Sequence, residues 1–171
     1  MARGSPRSAA SRGPRIPSKP PAPGRLLVID DDLQIVELVA DYFVELGYEV
    51  LRALEGDEGL RLVEASAPDV VLLDITMPGK NGEQVLRELR NRGYRHPIIM
   101  FSGNGDEEQA ARTLQRGAFD YVAKPFDWSR LQSCVELAIV VARVGGVGPW
   151  GRQSQGDDRL HYMHYKGGWR N

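Results

Sequence analysis

The chain has 171 residues, 42% of them hydrophobic, with a formal net charge of -1 and a single cysteine, Cys134. That suffices for one packed domain with flanking segments. It excludes an internal disulfide, and no apolar run reaches the roughly 18 residues of a spanning helix. The charge is unevenly spread: residues 1–25 hold six basic residues and no acid, residues 26–144 hold 12 basic and 21 acidic, and residues 145–171 hold four basic and two acidic. An acidic centre argues against direct nucleic-acid binding.

Residues 1–24 are rich in Pro, Ser, Arg, Gly and Ala, with Ile16 the one large aliphatic residue after Met1. Such a segment buries too little apolar area to offset its ordering entropy, so a disordered basic leader is expected. It has no apolar h-region and is not a secretory signal. Its Arg/Ser bias without acids has the flavour of an organelle transit peptide, but six prolines before residue 24 oppose the amphipathic helix that peptide needs.

A regular alternation follows. Residues 26–30 read as a buried strand and 32–46 as a helix, with Ile35, Val36, Leu38, Val39, Tyr42, Phe43 and Leu46 at helical spacing and Gly47 as its stop. Residues 48–53 predict a strand, and 57–66 a helix broken at Ala67-Pro68. Residues 70–74 predict a strand, 75–82 a turn-rich loop, and 83–92 a helix ending at Gly93. A strand over 97–101, a helix over 106–116 closed by Gly117, a strand over 121–123 and a helix over 127–144 capped by Asp127 complete the series. Near-continuous apolar strands alternating with helices imply an α/β layered fold with a parallel sheet.

The last helix contains Leu137-Ala138-Ile139-Val140-Val141-Ala142, apolar around more than one face. Generous core packing and a partner surface, such as a homodimer, both fit it. Cys134 on this helix reads as a core thiol. Residues 145–171 turn glycine-rich, with Trp150, Tyr162, Tyr165 and Trp169 scattered through them, and are expected to be a disordered tail or a short docking peptide. His161 and His164 lack the further ligands of a metal site and read as surface histidines.

Four charged residues stand at predicted strand ends. Asp30 and Asp31 close the first apolar run, Asp74 closes the third, and Lys124 follows the fifth, directly before Pro125. In an open parallel sheet the residues just past the carboxyl ends of the strands share one crevice. Clustered carboxylates repel unless a cation joins them, and oxygen-rich clusters suit Mg²⁺. The set points to metal-assisted phosphoryl chemistry on an aspartate. Taken singly, Asp30 or Asp31 reads as a helix cap, Lys124 as a solvated charge and Tyr121 as a half-buried strand residue. Asp32 is assigned to the cap or adjacent turn.

Four segments, VIDDD (28–32), LLDITMPGKNG (72–82), IIMFSG (98–103) and YVAKPF (121–126), stand in this order at strand ends. Together they make residues 25–143 resemble the receiver domain of two-component response regulators. The resemblance implies a flavodoxin-like, doubly wound three-layer sandwich: a five-stranded parallel sheet flanked by five helices. It implies Asp74 as phosphoacceptor, and Mg²⁺ held by Asp30, Asp31, Asp74 and the backbone carbonyl of Thr76. It further implies Ser102 and Tyr121 as switch residues, Lys124 as the lysine that pairs with the phosphoryl group, and a cis bond before Pro125.

Asn104 and Thr76 match positions that tune dephosphorylation in relatives, and Lys80 adds a positive charge near the site with unassigned effect. The partners implied are a sensor histidine kinase or phosphotransfer protein and a downstream protein effector, in a cytoplasmic, non-enzymatic module without an effector domain of its own. A truncated piece of a longer regulator fits the chain as well. An aspartyl-phosphate phosphatase would need a second acid where Thr76 stands. A phosphorylation-independent interaction module would be expected to have lost an acid or the lysine, and this chain keeps both. Neither a GxxxxGK[ST] loop nor a GxGxxG turn for nucleotide is present.

Overall fold

The structure is a computed structural model and describes residues 22–103 and 107–144. Five strands alternate with five helices: β1 (Arg25–Ile29), α1 (Leu33–Glu45), β2 (Glu49–Ala53), α2 (Gly56–Ser66), β3 (Val70–Asp74), α3 (Gly82–Asn91), β4 (Ile98–Ser102), α4 (Glu107–Gln115), β5 (Asp120–Ala123) and α5 (Trp128–Arg143). The expected elements are all present, with boundaries moved by a residue or so. The expected basic leader up to residue 21 and the tail 145–171, with Trp150, His161, Tyr162, His164, Tyr165 and Trp169, lie outside the described residues, as does Asn104.

Why the elements begin and end there follows from local chemistry. Asp32 is the N-cap of α1 and accepts from the Gln34 N–H at 2.8 Å, which satisfies one of the unpaired amides of a helix start. Asp127 does the same for α5 through the Arg130 N–H at 3.1 Å. Asn81 and Gln84 form a reciprocal capping box at the start of α3. Gly47, after α1, has φ +92°, the left-handed conformation that a side chain resists.

The sheet is all parallel, in the order β2-β1-β3-β4-β5. Alternate residues of each strand feed two cores. Leu26, Val28, Val70, Leu72, Ile99 and Phe101 pack with Val36, Val39 and Phe43 of α1 and with Leu131, Val135 and Ala138 of α5. Leu27, Ile29, Val71, Leu73, Ile98 and Met100 pack on the other face with Leu60 and Val63 of α2 and Val85, Leu86 and Leu89 of α3. Burial on both faces explains why the strands read as apolar runs rather than as alternation. The chain leaves β1 for one side of the sheet and returns to β3 on the other, so the crevice of this doubly wound fold opens at the carboxyl ends of β1 and β3.

Cys134 is buried as expected, and its thiol donates to Asp120 Oδ2 at 3.4 Å. Burial, with the Asp120 charge adding to it, raises the thiol pKa and keeps it unreactive. On the same helix Leu137 and Val140 are more than half exposed, so the apolar excess read from the sequence is surface and not core. Among the described residues, no helix is long and apolar enough to cross a membrane.

Candidate functional site

Asp30 and Asp74 are buried although charged, at 1% and 4% exposure. Asp30 lies one residue past β1 and Asp74 is the last residue of β3, so strand pairing sets their separation. The ammonium of Lys124, which follows β5, donates to both: 2.6 Å to Asp30 Oδ2 and 2.6 Å to Asp74 Oδ1. Their other oxygens are also held. Asp30 Oδ1 accepts from the Asp32 N–H at 3.0 Å, and Asp74 Oδ2 accepts from the Thr76 N–H at 2.7 Å. The Lys124 N–H donates to the Ser102 carbonyl at 2.8 Å, and the Lys124–Pro125 bond is cis.

Burial raises the Asp74 pKa above the usual carboxylate value, and the neighbouring Asp30 charge adds to the rise, against the bonds from Lys124 and Thr76. Burial works to lower the Lys124 pKa, but its bonds to Asp30 and Asp74 outweigh that and the net shift is upward. One ammonium thus faces two buried carboxylates, with the exposed Asp31 beside them. Oxygens of Asp30, Asp31 and Asp74 lie within 4.8 Å of one another. An all-oxygen set with surplus negative charge suits a hard divalent cation such as Mg²⁺ better than a softer metal.

The remaining expected residues surround this centre. Ser102 ends β4 and is 3% exposed; it stands one residue beyond Phe101, which is in register with Asp74. Tyr121 lies on the edge strand β5, in register with Met100, half-buried against the core on the α2 and α3 face. The Thr76 side chain is exposed, and its backbone contributes the amide.

Lys80, whose effect the sequence left unassigned, is held between two acids. Its ammonium lies 2.7 Å from Asp57 Oδ1 on α2 and 2.7 Å from Glu88 Oε2 on α3. Two anions on neighbouring helices capture it, and both are too far along the chain for sequence spacing to reveal. Gly82 also escaped sequence reading: a β-carbon there would lie 2.1 Å from the Asp74 carbonyl oxygen. A glycine placed directly after a helix N-cap was the available signal.

Comparison with known proteins agrees with this fold. The family model described as the response regulator receiver domain matches residues 26–136. Regulatory protein AtoC of Escherichia coli (strain K12) is 37% identical over 115 residues, which is 67% of this chain and 25% of that protein. The receiver domain of NtrX from Brucella abortus superposes with a TM-score of 0.65 at 35% identity, covering 67% of this chain and 98% of that one. The receiver domain of the Francisella response regulator 1452 gives 0.65 at 31%, covering 68% and 97%. Against a longer NtrX chain this chain spans 28% of the length, so it corresponds to about a quarter of those longer relatives.

Proposed function

The chain belongs to the response regulator receiver domains of two-component signalling, and from that premise we propose that Asp74 is its phosphoacceptor, charged by a sensor histidine kinase or phosphotransfer protein in the cytoplasm. The observation that carries this reading is the pair of buried carboxylates, Asp30 and Asp74, sharing one lysine beside a third acid at the carboxyl edge of the sheet.

In the proposed reaction a carboxylate oxygen of Asp74 attacks phosphorus, the bond from phosphorus to the donor nitrogen breaks, and the electron pair leaves with the donor histidine. An acyl phosphate forms, a reactive and reversible mark. Mg²⁺, held by Asp30, Asp31, Asp74 and the Thr76 carbonyl, would neutralise charge spread over the phosphoryl oxygens.

The protein's own groups do the positioning. Both Asp74 oxygens are already engaged, so the nucleophile is oriented before the donor arrives. Lys124 is the mobile partner: its flexible stem allows the ammonium to pass from the carboxylate to a phosphoryl oxygen. Ser102 supplies a hydroxyl donor for a phosphate oxygen present only in the modified state, and Tyr121 moves with it. This is a two-state element with a named trigger.

The chain acts as a phosphorylated switch rather than as an enzyme turning over a substrate. Its output is a change in affinity for a downstream protein effector, with a homodimer through α5 as one form of that contact and no direct contact with DNA.

Intact-protein mass after incubation with Mg²⁺ and acetyl phosphate tests the reading. One added phosphoryl group, absent in Asp74→Asn and absent with chelator, is the expected result. No gain under conditions in which a control receiver reacts overturns it.

A further inference from the structure

The loop that joins β3 to α3 supplies the Thr76 amide to Asp74, and both of its ends are fixed. At its start the Ile75 N–H donates to the Phe101 carbonyl at 3.0 Å, and the Gly82 N–H closes the loop onto the Ile75 carbonyl at 3.0 Å. At its far end the Lys80 backbone rests on α2: a β-carbon on Gly56 would lie 2.6 Å from the Lys80 carbonyl oxygen. The Lys80 side chain then crosses to both neighbouring helices, at 2.7 Å to Asp57 and 2.7 Å to Glu88. Glu88 is also paired with Arg92, and Arg92 with Glu64 of α2. A chain of ion pairs therefore ties α2 to α3, and Lys80 is the one member that lies in the site loop.

We infer that Lys80 is a positioning residue: its clamp between Asp57 and Glu88 holds the 75–81 loop so that the Thr76 backbone meets Asp74 and the cation site beside it. The inference rests on the reading of Asp74 and its acid neighbours as a Mg²⁺-dependent phosphoacceptor site. Lys80 touches none of the reacting groups, so its effect reaches them through the loop backbone. A lone exposed ion pair contributes little to stability. Two anions converging on one ammonium, over a backbone already in close contact, form a network rather than a lone pair, the case in which exposed charges contribute measurably.

A purely structural role for Lys80, stapling α2 to α3, makes a different prediction, and Arg92→Met separates the two. Arg92 belongs to the same ion-pair chain but lies outside the loop. The first readout is the Thr76 amide in metal-free protein, whose proton resonance reports its bond to Asp74. The second is Mg²⁺ binding measured by calorimetry. Partners that orient ligands from outside the coordination shell are worth about 10–100-fold in metal affinity.

Lys80→Met is expected to shift the Thr76 amide resonance and weaken Mg²⁺ binding by about tenfold, the low end of that range. Lys80→Arg, which keeps the charge, is expected to recover most of the affinity, and Arg92→Met to leave both readouts at their wild-type values. An unmoved Thr76 amide with unchanged Mg²⁺ affinity in Lys80→Met overturns the inference, as do equal effects from Arg92→Met. Both readouts work without a phosphoryl donor. Wild-type protein that binds Mg²⁺ and takes no phosphoryl group therefore removes the functional reading while still deciding the role of Lys80. Wild-type protein that binds no Mg²⁺ removes both.

Discussion

Gly82 meets Asp74 backbone to backbone: a β-carbon on the glycine would stand 2.1 Å from the aspartate carbonyl oxygen and 2.9 Å from its carbonyl carbon. The helix that follows the proposed phosphoacceptor therefore begins against the residue it serves. Gly82→Ala forces α3 or the end of β3 to move, and overpacking of this kind costs about 1–3 kcal/mol. Urea unfolding is expected to show that loss together with slower phosphoryl uptake. Gly103→Ala, where an added β-carbon meets nothing within 4 Å, is the stability control and is expected to unfold like wild type.

Lys124→Met leaves Asp30 and Asp74 facing each other without their shared counter-charge. Removing one partner of a buried pair costs about 3–5 kcal/mol. With Lys124 at 23% side-chain exposure, a loss of about 3 kcal/mol is expected from denaturant unfolding at neutral pH. The deficit should shrink when Mg²⁺ is added, and also on mild acidification as Asp74 takes up a proton. A variant as stable as wild type in metal-free buffer would remove the ion-pair account. For the wild type, the upward shift on Lys124 means that its contribution is complete below the ordinary lysine value of 10.5 and is lost as pH rises through the higher folded value.

Asp74 itself is a cost to the metal-free fold. Its folded pKa lies above the ordinary 3.8, chiefly through burial, so ionisation opposes folding. The penalty is absent below pH 3.8 and complete once pH has passed the folded value. Asp74→Asn is therefore expected to melt higher than wild type at pH 7 in chelator, with the two melting curves converging as pH falls toward the ordinary carboxylate range. A variant less stable than wild type at neutral pH would contradict this sign.

Arg90 has a structural task away from the site. Its guanidinium donates to the carbonyls of Tyr94, His96 and Gly117, joining α3 to the turn before β4 and the turn after α4. Burial lowers its pKa to about 10. Arg90→Met leaves those acceptors unpaired at about 1–3 kcal/mol each, and a total loss of about 3 kcal/mol is expected in thermal unfolding. Phosphoryl uptake below the melting transition should stay unchanged. Lys in its place reaches too few of the three carbonyls to restore stability.

These sites differ in how far the sequence exposed them. Apolar runs such as 70–73, bounded by Pro and Asp, made the strands legible because a doubly covered sheet demands them, and Gly47 and Asp127 marked helix ends through backbone and capping chemistry. The gathering of Asp30, Asp74 and Lys124 followed from their places at strand ends. The roles of Ser102 and Tyr121 came from resemblance, since a lone serine and a lone strand tyrosine carry no such signal. Lys80 and Arg90 were opaque. Each looks like a surface charge until distant segments bring its carboxylates or carbonyls to it, and local spacing does not encode those meetings.

The guanidinium of Arg143, at the end of α5, donates to the Pro23 carbonyl just before β1. The described fold therefore starts and finishes at one point, on the pole opposite Asp74. Two halves of a split fluorescent reporter, fused at residues 22 and 144, would be held side by side for as long as α5 stays docked. Their glow would gauge that docking from the pole farthest from the site.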